Sequence, residues 1–367
     1  MRVASAGELK RWAAFLELCA MLAPKAASPS PGRDDENWEM IVRCASEHMA
    51  SPAVWRAIAA DTTAPEEVKT YFQAIHEVNA ARNRRILKGL DELLARFDEH
   101  GIKAVLLKGG ASIASGLYDD PAERVLVDID VLIAPEQIKA AETALRTYGY
   151  EDAVPEDPQR WFRPPDHHLP PLVPPTGGFS IELHFSLVDS NQFESLLPPA
   201  AILQRAIEVP WNGRSIFVPH PTDFLIHNIV HSQLHHDLQS HGTIELRQLR
   251  ELALFVVRYR DEVDWIEVER RFSSAGFGQV LAEQAIYSQA LMGVAFPIGE
   301  RDAQRAMDRL RSSILNPGGG VWAELADIYI GGFLRDPKLA INLLNPFWWP
   351  ERIGNIRALL KRNNSRQ

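Results

Sequence analysis

The sequence holds only two cysteines, Cys19 and Cys44, too few for a disulfide framework or a four-thiolate metal site; both read as core thiols. It has no uninterrupted apolar run of the ~18–20 residues that a membrane span needs. The stretch from Trp12 to Ala23 is apolar but short, contains Glu17 and lacks a small-residue cleavage site, so it reads as a soluble helix rather than a leader. A basic excess is missing too. The 39 Lys and Arg against 48 Asp and Glu leave a net charge of −9, with no surplus to neutralise phosphates, which argues against broad nucleic-acid binding. Internal repeats and low-complexity tracts are also lacking. These absences predict a cytoplasmic chain without a transmembrane segment. What remains is 46% hydrophobic and 24% charged, which excludes global disorder, and the 367 residues suit two or three domains.

Periodicity divides the chain into four stretches. Residues 1–100 read as an N-terminal helical region: Leu9–Ala23, Trp38–Met49 and a long helix over about 65–99, in which Ile75, Val78, Ile86, Leu90, Leu93, Leu94 and Phe97 recur at helical spacing before Gly101. Residues 101–218 change character and read as an α/β core. Ile102–Leu107 is a buried strand, Lys108-Gly109-Gly110 leads into a short helix, and Val125–Ile133 is a second strand. Pro135 opens a helix closing at Gly149, and Phe179–Leu187 alternates as a further strand. Residues 219–345 return to helices, and 346–367 form a basic tail helix behind Trp348 and Trp349. The layout is a small α/β unit between helical flanks.

The chemistry concentrates in Gly109-Gly110, then Asp128-x-Asp130, then Glu182. Strand side chains alternate faces, so Asp128 and Asp130 point together while Ile129 and Val131 point into the core. Two like charges at that spacing repel, and burying either alone is costly. A divalent cation resolves the conflict, because hard oxygen ligands suit Mg²⁺ (or Mn²⁺). Glu182, on the polar face of its own strand, supplies a third carboxylate, with His184 one register beyond it. The two glycines let backbone amides approach a phosphate, and Lys108 and Arg124 are nearby cations able to neutralise it. Each piece has a bland counterpart: a tight turn for the glycines, a solvated edge for the aspartates, a structural role for the histidine. Their order along the chain is far more specific than any one of them.

These residues resemble a known family. Leu106–Ala111 (LLKGGA), Leu117–Pro121 (LYDDP), Arg124, Val127–Ile133 (VDIDVLI) and Ile181–Phe185 (IELHF) are similar to the uncharacterised nucleotidyltransferase family of the polymerase-β-like superfamily. Trp38–Ala50, Asn79–Gly101 and Leu246–Trp265 resemble its flanking helices, so the likeness covers about residues 35–300. It implies an α+β fold, a small mixed-sheet nucleotidyltransferase core flanked by N- and C-terminal helical regions. It also implies metal ligation by Asp128 and Asp130 and a nucleoside triphosphate at Gly109 and Gly110. Glu182 departs from the aspartate commoner at the third position, and the separation of Gly110 from Asp128 is longer than in many superfamily members. The expected reaction moves a nucleoside monophosphate to a hydroxyl or phosphate acceptor, on an unknown small molecule or protein, with release of pyrophosphate.

Other signals carry several readings. His168, with His167 in a Pro-rich segment, is a candidate to line the cleft near the triphosphate. His227, His231 and His235 fall at i, i+4 and i+8, close to His236, Asp237 and His241. That spacing can bind zinc, line a cleft or simply pack, but no glutamate stands beside the first histidine, so the zinc-protease pattern is absent. Arg352, Arg357, Lys361, Arg362 and Arg366 behind the tryptophans read either as a terminal helix packed on the domain or as a surface for a membrane or acidic partner. Two alternative functions remain open: glycosyl transfer from a nucleotide sugar, and a catalytically silent nucleotide-binding scaffold.

Overall fold

The structure, a computed structural model, describes residues 6–25, 34–153, 167–188, 191–236, 238–299 and 303–315. The tail behind Asn316 and the residue Asp237 lie outside them. The helices are α1 (Ala6–Leu22), α2 (Asp35–Glu47), α3 (Ser51–Ile58), α4 (Glu66–Glu99), α5 (Lys108–Ala114), α6 (Ile138–Thr147), α7 (Asn191–Glu194), α8 (Pro199–Arg205), α9 (Pro221–Ile229), α10 (Leu246–Tyr259), α11 (Trp265–Ser274), α12 (Gly278–Met292) and α13 (Ala303–Leu315). The strands are β1 (Ala104–Leu106), β2 (Asp128–Ile133), β3 (Glu151–Asp152), β4 (Leu172–Val173), β5 (Ser180–His184), β6 (Ile207–Trp211) and β7 (Arg214–Val218). They form one mixed sheet in the order β3-β4-β5-β2-β1-β7-β6, with helices flanking it. The mixed α/β fold with helical flanks is as expected.

Two apolar cores stabilise the chain, and α4 serves both. With 34 residues it is about 50 Å long. Its first half puts Val68, Phe72 and Ile75 among α1–α3, while its second half puts Ile86, Leu90, Leu93 and Phe97 under the sheet. Leu246, Leu249, Tyr287, Leu291 and Leu310 of the later helices join the first core, so the N- and C-terminal helices pack together rather than as separate bodies. Cys19 and Cys44 are both buried there as free thiols. No helix among the described residues is long and apolar enough to cross a membrane.

Three local differences from the sequence reading have physical causes. β2 begins at Asp128 rather than Val125, because side chains take the carbonyls before it. Asn79 and Asn83 donate to Arg124 O at 3.0 and 2.7 Å, and Arg124 Nη1 donates to Val125 O at 2.7 Å. The β6–β7 hairpin, unassigned from the sequence, turns on Asn212-Gly213, whose φ angles of 45° and 80° are those of a two-residue hairpin turn. Finally, α9 stops at Ile229 and continues as one π-helical turn, Val230–His235. The Ser232 hydroxyl donates to Asn228 O at 2.9 Å, occupying the carbonyl that its own amide would use and opening the ladder.

Candidate active site

The site grows from the pairing of β2 with β5. They are parallel neighbours in the middle of the sheet, with Asp128 opposite Ser180, Asp130 opposite Glu182 and Leu132 opposite His184. Ile129, Val131, Ile181 and Leu183 are buried in the core, which fixes the register and leaves the alternate positions on the other face. The chain at His167–Leu169 completes it. Leu169 N donates to Leu183 O at 2.9 Å and Phe185 N to His167 O at 3.0 Å, tying His167 and His168 beside the end of β5.

Asp130, Glu182 and His184 each offer a donor atom within 4.8 Å of the others. His184 Nε2 lies 2.9 Å from Asp130 Oδ1 and 3.4 Å from Glu182 Oε2, and Lys108 Nζ donates to Asp130 Oδ1 at 2.6 Å while standing 3.9 Å from Glu182. Asp130 is only 3% exposed. Burial alone would raise its carboxyl, but Lys108 and His184 hold it well below the usual carboxylate range, and Glu182 is likewise lowered by His184 and Lys108 against burial. Lys108 in turn stays firmly cationic: burial opposes its charge, and the attraction of Asp130, Glu182 and Asp128 outweighs it. Burial would lower His184, whereas its bonds to Asp130 and Glu182 raise it.

Asp128 sits one strand step away on the same face but outside that close group. Burial and repulsion from Asp130 and Glu182 push its carboxyl up to about 7, so it is the acid of the site that most needs a further cation. The donor set fits a divalent ion: two carboxylates and an imidazole converge, a third carboxylate stands one strand step away, and the chain's own ammonium already lies among them. Lys108 is held there by an unusual backbone, with φ of 48° in the left-handed region where a non-glycine residue is strained by about 1 kcal/mol or more.

The remaining residues singled out from the sequence divide. His168 Nε2 lies 4.0 Å from Glu182, at the edge of the cluster. Gly109 and Gly110 have a packing reason to lack side chains. A Cβ on Gly109 would stand 2.7 Å from Leu126 Cδ2 and 3.1 Å from the Arg124 guanidinium, and one on Gly110 2.9 Å from Leu106 Cδ1. No side chain caps α5, so its first amides are left to another acceptor. Arg124 is buried beneath this loop, and its Nε donates to Glu251 Oε2 at 2.6 Å. Glu251, on α10, also accepts from Tyr118 Oη and from Asn228 Nδ2, each at 3.2 Å. The guanidinium is therefore a strut between the loop and the C-terminal helices rather than a group facing the cluster.

Sequence reasoning did not single out Asn79, Asn83, Arg247 or Glu251. Asn79 and Asn83 are one turn apart on an otherwise charged helix, a pattern able to signal a side-chain clamp on backbone. Arg247, paired with Glu245 at 2.5 Å, brings positive charge near Asp128.

The π turn and α9 form the facing wall. His227, His231, His235 and His236 run along it, and His167 bridges the walls, its ring centre 5.4 Å from that of His184 and 5.1 Å from that of His235. Burial lowers His227 and His236 to about 3 each and His231 further still, with neighbouring imidazoles and Lys108 adding to it.

The model of an uncharacterised nucleotidyltransferase family matches residues 34–293 of the chain. One solved structure, of an antigenic nucleotidyltransferase-like protein from Paracoccidioides brasiliensis, is 17% identical to it. The match covers 57% of this chain and 94% of that one, with a TM-score of 0.34, too loose to add to the fold described above. No curated protein matches the chain.

Proposed function

We infer that this chain, which belongs to the uncharacterised nucleotidyltransferase family, transfers a nucleoside monophosphate from a nucleoside triphosphate to a hydroxyl or phosphate acceptor, with pyrophosphate as leaving group. The observation that carries this reading is the convergence of Asp130, Glu182 and His184 from two parallel strands, with Lys108 among them. Asp128, Asp130 and Glu182 are the residues that would hold a divalent cation, Mg²⁺ or Mn²⁺. That ion would supply charge neutralisation at the α-phosphate and acidify the attacking hydroxyl.

The chain's own groups have separable tasks. Lys108 neutralises phosphate oxygens once the carboxylates find another cation. His184 orients Asp130 and Glu182 through Nε2, and His168 faces the bound triphosphate from the edge. The uncapped start of α5 at Gly109 and Gly110 receives phosphate oxygens on its amides. Arg124 holds that start in place from below, joined to Glu251.

The test is incubation of the full chain with each of four α-labelled triphosphates and Mg²⁺ or Mn²⁺, with and without cell extract. Label is expected in an acceptor, reduced at least ~10²-fold in Asp130→Asn and in Asp128→Asn. Transfer retained in either folded variant, or label moving only from a nucleotide sugar, would overturn the reading.

A further inference from the structure

We propose that the histidine wall of the cleft, His231, His235 and His236 with His167 opposite, is a second metal site that takes a borderline transition-metal ion of the Zn²⁺ class. The proposal does not depend on nucleotidyl transfer. It starts from the π turn, which brings these imidazoles into one patch. The ring centres of His231, His235 and His236 are 5.5, 4.5 and 5.2 Å apart pairwise, and His167 lies 5.1 Å from His235. Imidazoles bound to one tetrahedral ion through metal–nitrogen bonds of ~2.0–2.1 Å have ring centres roughly 5 Å apart. These four spacings are therefore already near that value, with the His231 and His235 rings stacked at 18° to each other. The nitrogens are not gathered as the donor atoms of Asp130, Glu182 and His184 are, so ligation would turn the rings about their Cβ–Cγ bonds.

One further observation points to a ligand rather than to packing. Nδ1 of His167 and Nδ1 of His231 are buried with no hydrogen-bond partner, a cost that a packing role would not require. Burial also keeps His231 and His236 in the neutral form that binds metal. Nitrogen donors select Zn²⁺, Cu²⁺ or Ni²⁺ over Mg²⁺, whereas the carboxylates of β2 and β5 favour the hard ions. The cleft would thus hold two chemically distinct cation sites, with His167 and His184 in contact between them.

The experiment titrates the chelator-treated full chain with Zn²⁺, and with Co²⁺ as a spectroscopic probe, in excess Mg²⁺. One Zn²⁺ per chain is expected, together with the visible absorption of four-coordinate Co²⁺, and both should persist in Asp130→Asn. In His231→Ala/His235→Ala, affinity should fall at least ~10-fold while circular dichroism stays native. If that double variant does not fold, His231→Gln and His235→Gln singly should each show the loss. The proposal is overturned if the wild-type chain binds no stoichiometric Zn²⁺, or if folded histidine variants bind it unchanged. Binding lost only in Asp130→Asn would equally overturn it by placing the ion among the carboxylates. Failure of label transfer from triphosphates would leave these outcomes untouched.

Discussion

On the strand wall of the cleft, Asp130 is 3% exposed, yet it meets Lys108 and His184 within hydrogen-bond distance. On the helix wall, His227 is 4% exposed, and its Nε2 has no hydrogen-bond partner. The first wall keeps its charges by surrounding them with opposite ones; the second keeps its imidazoles neutral chiefly by burial, with Lys108 and the neighbouring imidazoles adding to it. The difference shows how one cleft can be preorganised on one side and unsatisfied on the other. The satisfied carboxylates are poised to hold a cation, whereas His227 and His231 each keep a buried ring nitrogen that no protein group engages.

The largest expected effect comes from the strut that joins the walls. Glu251→Ala removes the acceptor of Arg124, Tyr118 and Asn228 and leaves a buried guanidinium without its partner. A loss of about 3–5 kcal/mol in denaturant unfolding is expected, at the cost typical of a broken buried pair. Glu251→Gln, which keeps the side chain's volume and one acceptor oxygen, should lose less.

Lys108→Met touches the strand wall alone. It relieves no backbone strain but leaves Asp130 and Glu182 without their cation, and partial exposure limits the cost to about 2 kcal/mol. Mn²⁺ should recover more stability in this variant than in the wild type, because the ion replaces the missing charge. Thermal unfolding with and without Mn²⁺ reads both effects, and equal Mn²⁺ shifts in the two proteins would contradict the placement of the ion.

Gly109→Ala sharpens the joint between the walls. Its Cβ would press on Leu126 and on the Arg124 guanidinium, so about 1–3 kcal/mol of stability should be lost. A neutral result would mean that the loop is free to lift from the strut.

The smallest effect near neutral pH concerns His48, far from both walls, which packs on Phe15 and faces Arg11. Burial, helped by the Arg11 charge, lowers it from 6.5 to about 3. Its stabilising contribution is therefore present in full above pH 6.5 and is lost as pH falls toward about 3, by roughly 1.4 kcal/mol for each unit. His48→Gln should flatten the fall of chemical-denaturation midpoints across that window, while an unchanged slope would assign it to other groups.

Much of this molecule was legible from residue order. α4 stands at Glu66–Glu99, against an expected 65–99, because its apolar residues recur every three or four positions and Gly101 stops it. The two aspartates on β2 were conspicuous because a buried strand has no other use for them. The hairpin at Asn212-Gly213 carried a legible turn signal that went unassigned. Arg124 was read as a phosphate contact because a cation near a glycine loop has that use on local grounds. Its actual partner, Glu251, lies 127 positions away on a helix whose approach no local pattern encodes.

The sequence by itself determined the alternation that puts Asp128 and Asp130 on one strand face and Glu182 and His184 on another. It also determined the family, since both rest on short-range spacing. Only the tertiary structure decided that Asp130 and Glu182 are direct cross-strand partners, that Lys108 leans into them, and that the turn carrying His231, His235 and His236 faces His167. Register is fixed by the burial of the intervening Ile129, Val131, Ile181 and Leu183, and the turn by one serine hydroxyl competing for a carbonyl. The register depends on packing between segments distant in the chain, where single-residue preferences carry no information, whereas the turn rests on a contact only four residues long whose consequence shows once the helix is built.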